Sequence, residues 1–325
     1  MKKLLFIIFS LFLTKLIFSQ DPQFTQFYAS PLYLSPSFAG STKGSRIASN
    51  YRNQWPSLQK SFVTYAFSFD HYFHKLNSGL GALILREQAG SGVLSTTNVG
   101  LVYSYHIDLT HEWRVIPGMH FMYTQRGLHF YKLTFGDQLA GNYETSIEVP
   151  SEDFTWDVDA TASVLAYSDQ LWFGLTVDHL LMPDQSLTGD QSIVDIKYSA
   201  FGGMRIPIGQ NYNRDPFESI FPAFHFQQQG NNSQLNLGVY YHKMPFMIGL
   251  WYRGIPVFKE IPSNDAIAVL LGYKIDQFNI GYSYDVTISK LAGLTDGAHE
   301  ISLIIQFGEY LTPRQKWIVN PCPGF

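Results

Sequence analysis

The chain is short of several things that exported domains commonly rely on. One cysteine in 325 residues excludes an intrachain disulfide and any zinc site built on several thiolates. Charged residues are 15% of the chain, against roughly 25% in soluble domains, so the material for a solvated surface is scarce. Twenty-two Lys+Arg against 26 Asp+Glu leave a formal net charge of -4, and no basic footprint points to nucleic acid. After the leader, no apolar run reaches the ~18 residues that a transmembrane helix needs. What is abundant is aromatic: 26 Phe, 20 Tyr and 6 Trp, 16% of the chain. That is too much hydrophobic material, with too little charge, for disorder.

The first segment reads as a secretory signal. Met1, Lys2 and Lys3 precede an apolar run from Leu4 to Leu13, and the small residue Ser19 precedes Gln20. Cleavage is expected at Ser19/Gln20. No cysteine follows the apolar run, so lipoprotein processing is excluded. Two exported classes remain, a large soluble β protein or an outer-membrane barrel.

The dominant period is two. Leu235, Leu237, Val239 and Tyr241 alternate with Asn236, Gly238, Tyr240 and His242. Ile280, Tyr282, Tyr284 and Val286 alternate with Gly281, Ser283, Asp285 and Thr287, and Ile301, Leu303, Ile305 and Phe307 repeat the pattern. Such segments are strands with one apolar face and one polar or small face. Periodicity alone fits a sandwich with a solvated face or a barrel with a polar lumen. The scarcity of Lys and Glu on the polar face favours the lumen.

At about 21 residues per strand and connection, the mature chain holds roughly 14 strands. The expected ranges are 46–55, 62–73, 79–88, 93–107, 112–128, 153–167, 170–182, 196–207, 219–228, 233–243, 246–253, 266–275, 278–288 and 298–307. The expected fold is therefore all-β, a transmembrane antiparallel barrel with its N-terminal segment and C-terminal tail on the periplasmic side. The organisation is a signal peptide (1–19), a periplasmic or plug-like segment (20–45), the barrel (46–307) and a tail (308–325).

Catalytic and metal motifs are missing. There is no Gly-x-Ser-x-Gly elbow, Walker loop or His-Glu-x-x-His. His71 and His74 would point to opposite faces of a strand, as would the neighbours His299 and Glu300, so neither pair forms a side-by-side site. The expectation is a non-enzyme with no cofactor and no metal. Cys322 lies in a Pro-Cys-Pro tail, either idle or open to an intermolecular disulfide. The stretch from Asp21 to Gly40 is too aromatic for a free tail; it packs as a plug in the barrel mouth or docks a partner.

A family resemblance then emerges. Asp21-Pro22-Gln23-Phe24-Thr25-Gln26-Phe27-Tyr28 and the later Ser35-Pro36-Ser37-Phe38-Ala39-Gly40 resemble the N-terminal pattern of the PorP/SprF family of type IX secretion proteins. Ser35 and Ser37 stand where that family usually has Asn and Ala. Tyr51-Arg52-Asn53-Gln54-Trp55-Pro56, Lys132-Leu133-Thr134-Phe135-Gly136-Asp137-Gln138, Trp251-Tyr252-Arg253-Gly254, Gly281-Tyr282-Ser283-Tyr284-Asp285 and Gly297-Ala298-His299-Glu300 continue it in order, and Cys322-Pro323-Gly324-Phe325 resembles the family's ending.

The resemblance implies an integral outer-membrane barrel in a Bacteroidota-type envelope. The implied partner is a secreted adhesin carrying a type B C-terminal domain, with a role in gliding motility in some members. The alternative is a general machine component bound to periplasmic ring proteins or a peptidoglycan-binding lipoprotein. A further alternative is a porin or channel. From residue type and position, the candidate partner-binding residues are Arg52, Trp55, Asp137, Arg253, Asp285 and Cys322, since Trp and Arg often anchor interfaces. The competing reading for the charged ones is a salt bridge inside the lumen.

Overall fold

The structure is a computed structural model that describes residues 21–42, 44–58, 61–90, 93–130, 133, 138–139, 154–187, 191–208, 218–255, 265–289, 292–293, 295–308 and 320–322. Alternating apolar and polar residues form strands β1 (Ser45–Gln54), β2 (Phe62–Phe73), β3 (Ser78–Ala89), β4 (Leu94–Tyr105), β5 (Ile107–Asp108) and β6 (Arg114–Leu128). They continue as β7 (Phe154–Tyr167), β8 (Leu171–Asp178), β9 (Lys197–Met204), β10 (Ile206–Pro207), β11 (Glu218–Gln229) and β12 (Asn232–Lys243). The last four are β13 (Phe246–Ile255), β14 (Ala266–Ile275), β15 (Phe278–Thr287) and β16 (Ala298–Phe307). The two-residue strands β5 and β10 prolong β4 and β9 past a break, so the wall has fourteen staves.

Every pairing is antiparallel, and each stave pairs with the next along the chain. β1 pairs with β16 and β9 with β11, which closes the sheet into a barrel and leaves no open edge. Closure satisfies the backbone within the wall, as a strand structure in hydrocarbon requires. No helix among the described residues is long and apolar enough to cross a membrane; a β-barrel crosses with its strands.

The outward face is apolar. Leu101, Phe121, Trp156, Val158, Leu250, Leu271 and Ile301 stand exposed on it, far beyond the apolar patch a soluble protein presents. The fourteen expected ranges coincide with the long strands to within a few residues. The largest difference is β8, read to residue 182 but ending at Asp178. His179 and Met182 have φ of 60° and 46°, and a backbone turned into the left-handed region cannot continue a strand.

The two ends of the barrel differ. At the end that bears Ser45 and Phe307, most strands join through short turns such as 244–245 and 276–277, and one connection, 208–217, is longer. At the other end lie the connections 129–153, 179–196, 256–265 and 288–297.

The interior departs from the expected polar lumen. The segment from Asp21 to Thr42 runs inside the barrel as three short turns of helix, Phe27–Ala29, Pro31–Leu34 and Pro36–Phe38. Its apolar side chains meet inward-facing Trp172, Phe201, Tyr240, Trp251, Leu270 and Ile304 in one buried cluster. Phe27 meets Trp251 edge-on at 4.7 Å, and Phe38 stacks on Phe201 at 5.6 Å. The small residues on the lumen face make room for this. A Cβ on Gly238 would collide with the Trp251 ring, and one on Gly79 with the Ala39 carbonyl. The lumen thus contains a protein core, because its polar-looking face also carries large aromatics.

Candidate functional site

The internal segment is tied to the wall at three levels. Near the long-loop end, four charged side chains from the β13–β1 arc of the wall converge: Arg52 (β1), Arg253 (β13), Asp285 (β15) and Glu300 (β16). Asp285 Oδ2 accepts from Arg52 Nη2 at 2.8 Å and from Arg253 Nη1 at 2.7 Å, and Arg52 Nη1 reaches Glu300 Oε2 at 3.2 Å. All four are buried, Glu300 completely. Buried charges persist only when paired and hydrogen-bonded, and the segment supplies the missing bonds. Thr25 Oγ1 donates to Asp285 at 2.7 Å and accepts from Arg52 Nη1 at 2.7 Å and Arg253 Nη1 at 2.8 Å. The Thr25 and Gln26 backbone N–H groups donate to the two Glu300 oxygens at 2.7 and 3.0 Å. Gln26 Nε2 donates to Ser283, and its Oε1 accepts from Ser302 at 2.6 Å.

Asp21 makes a second tie at the same end. Its carboxylate accepts from Lys197 Nζ at 2.6 Å and from His179 Nε2 at 2.9 Å, while His179 Nδ1 donates to Asp159 at 2.6 Å. Burial would raise Asp21, but the charges of Lys197 and His179 outweigh it and hold the carboxyl well below its usual range. Burial would lower His179, but Asp21 and Asp159 carry it up to about 10, so the imidazolium donates from both nitrogens.

The third tie is at the short-turn end. The Gly40 N–H donates to Asp70 Oδ2 at 2.8 Å, and Arg46 bridges Asp70 Oδ1 (2.9 Å) and the Phe38 carbonyl (2.8 Å). Ser104 Oγ donates to the Ala39 carbonyl at 2.7 Å, and His106 Nε2 to the same oxygen at 3.0 Å. The segment therefore spans the lumen: Ser45 starts β1 at one end, and Asp21 is held at the other. It is not confined to the terminus-bearing end or to one mouth.

Beside the segment, a cavity of about 80 Å³ lies toward the β3–β9 side, lined by Glu87, Asn98, His120, Thr124 and Arg126 among others. It is polar and has room for ordered water.

Of the residues singled out from sequence, Arg52, Arg253 and Asp285 come together in the buried cluster, as the lumen salt-bridge alternative describes. Trp55 lies just past β1 at the long-loop rim, with φ 60°, its N–H bonded to the Gly297 carbonyl and its ring edge-on to Phe62. Asp137 falls outside the described residues. Cys322 packs against the lumen core cluster, and burial pushes its thiol well above the usual range. Thr25, Gln26, Glu300, Asp70 and His179 complete the ties and were not singled out. Glu300 was weighed only beside His299, which indeed faces the other way and bonds the Tyr282 hydroxyl at 2.9 Å. Among the described residues no group of three His, Cys, Asp or Glu is arranged to hold a metal.

A closed antiparallel barrel with an apolar outer wall is an integral β-barrel of the outer-membrane kind. Residues 17–305 match the family described as type IX secretion system membrane protein PorP/SprF, and the chain belongs to that family. No curated protein matches it. Among solved structures it is similar to Omp33 of Acinetobacter baumannii, with 8% identity, TM-score 0.44, and 81% of this chain and 98% of that one covered. It is also similar to the KdgM porin in complex with disordered oligogalacturonate, with 12% identity, TM-score 0.35 and coverage of 81% and 99%. A triple mutant of the Rhodopseudomonas blastica porin shows 7% identity, TM-score 0.35 and the same coverage.

Proposed function

We propose that the protein acts in type IX secretion by binding rather than by conduction or catalysis. In this reading it captures a secreted adhesin through the adhesin's type B C-terminal domain and supports its export and surface display. The observation that carries the reading is the filled lumen. The segment 21–42 runs through the interior from one end to the other and packs on inward aromatics of the wall, with a cavity of about 80 Å³ beside it. A barrel closed in this way offers its rims, not its bore, to other molecules. Four of the five longest connections, 129–153, 179–196, 256–265 and 288–297, gather at the end where Asp21, Thr25 and the four-charge cluster are fixed. Outer-membrane barrels carry their longer loops outside, so we assign that end to the cell surface and the short-turn end to the periplasm. Long loops on a rigid base suit the capture of a folded β-domain by packing and backbone pairing.

The test is affinity capture of the tagged full-length protein from detergent-solubilised outer membranes, with mass spectrometry of what is retained. A large adhesin with a type B C-terminal domain is the expected partner. Recovery of periplasmic ring proteins or a peptidoglycan-binding lipoprotein alone would replace cargo capture with a general role in the machine. Unchanged surface adhesin in a deletion strain would overturn the reading.

A further inference from the structure

Among the described residues, the outer wall carries one charged side chain with no described partner. Along the outward faces of the described long strands, Asp, Glu, Lys or Arg occurs at Glu218, Lys243 and Arg86. Glu218 and Lys243 form an ion pair at the short-turn end. Arg86 is two residues beyond the exposed Ile84 on β3, hence on the same outward face, near the long-loop end. It has no hydrogen bond or ion pair with any described residue.

Its surroundings form a site. One row of cross-strand neighbours runs around the wall as Tyr51, Tyr65, Arg86, Thr97, Gln125 and Trp156. The aromatic row is interrupted at three consecutive staves by an Arg, a hydroxyl and an amide. The next row toward the short-turn end is apolar throughout: Phe67, Ile84, Val99, Tyr123 and Val158. Over the interruption lies a depression of about 420 Å³ lined by Arg86, Ser95, Thr97, Gln125, His129 and Phe154. An outward Arg is costly in hydrocarbon and tolerated at the interface, so these rows mark where the belt ends. A guanidinium beside amide and hydroxyl groups, at the height of the headgroups and flanked by aromatics, has the donor set for a phosphate.

We propose that Arg86, Thr97, Gln125 and His129 bind the phosphorylated sugar headgroup of a glycolipid in the leaflet at the long-loop end. Arg86 makes the charge-assisted contact, Thr97 and Gln125 hold the phosphate and sugar oxygens, and the acyl chains lie along Ile84, Val99 and Tyr123. The glycolipid source rests on the assignment of the long-loop end to the cell surface.

Native mass spectrometry of the full-length protein from zwitterionic detergent tests it, with bis-phosphorylated lipid A, its dephosphorylated form, phosphatidylglycerol and inorganic phosphate as probes. The expected result is retention of one bis-phosphorylated molecule, preferred by at least about tenfold over the dephosphorylated form and lost in Arg86→Gln. Lys243→Gln, at the other end of the wall, keeps the preference, and an unchanged heat-dependent gel shift shows that Arg86→Gln still folds. Equal retention with and without phosphates, a wild-type preference in Arg86→Gln, stronger retention of phosphatidylglycerol, or binding of inorganic phosphate alone would each overturn the proposal. Binding in detergent does not depend on orientation, which labelling of a tag inserted at 183–195 on intact cells reads separately.

Discussion

Asp285→Asn is the sharpest perturbation of the plugged lumen. The carboxylate accepts from two buried guanidiniums at 2.8 and 2.7 Å and from the Thr25 hydroxyl at 2.7 Å. An amide of the same shape keeps one acceptor and loses the charge, leaving Arg52 with Glu300 and Arg253 with only the more distant Asp265 at 4.0 Å. Removing one partner of a buried ion pair costs about 3–5 kcal/mol, and the retained acceptor places this change near about 3. If that cost falls on docking of the segment, the ratio of docked to undocked forms drops by about two orders of magnitude. Hydrogen exchange of the Thr25 and Gln26 amides reads the effect directly, because both donate to Glu300. Their exchange should accelerate by about a hundredfold while the amides of β14 to β16 stay protected. Wild-type protection of the two amides in a folded Asp285→Asn barrel would refute the reasoning, since it would mean that the four charges do not hold the segment.

Three other outcomes follow from the same geometry. His179 is raised to about 10, so its tie to Asp21 is fully stabilising below about pH 6.5 and is lost as pH rises through about 10. Asp21 is depressed, so its share is present above about pH 4 and is lost on acidification; protection of the 21–26 amides, taken relative to the intrinsic exchange rate at each pH, should therefore be greatest between these limits. Trp251→Ala, at a side chain 1% exposed and packed on Phe27 and Tyr240, should cost about 3–5 kcal/mol in urea unfolding in micelles; a loss under about 1 kcal/mol would contradict the lumen core. Cys322, partly buried against the lumen cluster with its thiol pushed up, should react with maleimide more slowly in the folded barrel than after denaturation; equal rates would contradict the docked tail.

Much of the wall was legible in the sequence because alternation at period two is local. Ile280 to Thr287 states its two faces without help from any other strand. The aromatic stretch 21–40 also announced that it packs on something, since Phe24, Phe27, Tyr28 and Phe38 could not stay in water. Alternation does not say which large residues face in. Trp156 points to lipid and Trp251 into the core, and only closure of the barrel sets that choice. The charge cluster was half legible. Arg52, Arg253 and Asp285 stood out as charges in strands, but Arg52 and Asp285 are 233 residues apart and meet only because β1 pairs with β16. The roles of Thr25 and Gln26 were hidden for a related reason: their partners lie some 275 residues away. The Arg86 site was invisible in one dimension, since Ser95, Thr97 and Gln125 are ordinary polar residues until the register sets them beside it.

The most direct test of the account is the conductance of the purified protein in planar bilayers. A lumen filled by residues 21–42 predicts a flat current for the wild-type barrel, with openings in a variant such as Asp285→Asn that loosens the segment. Steady porin-like steps from the untreated wild-type protein would contradict the plugged lumen, and with it the argument that this barrel works through its rim.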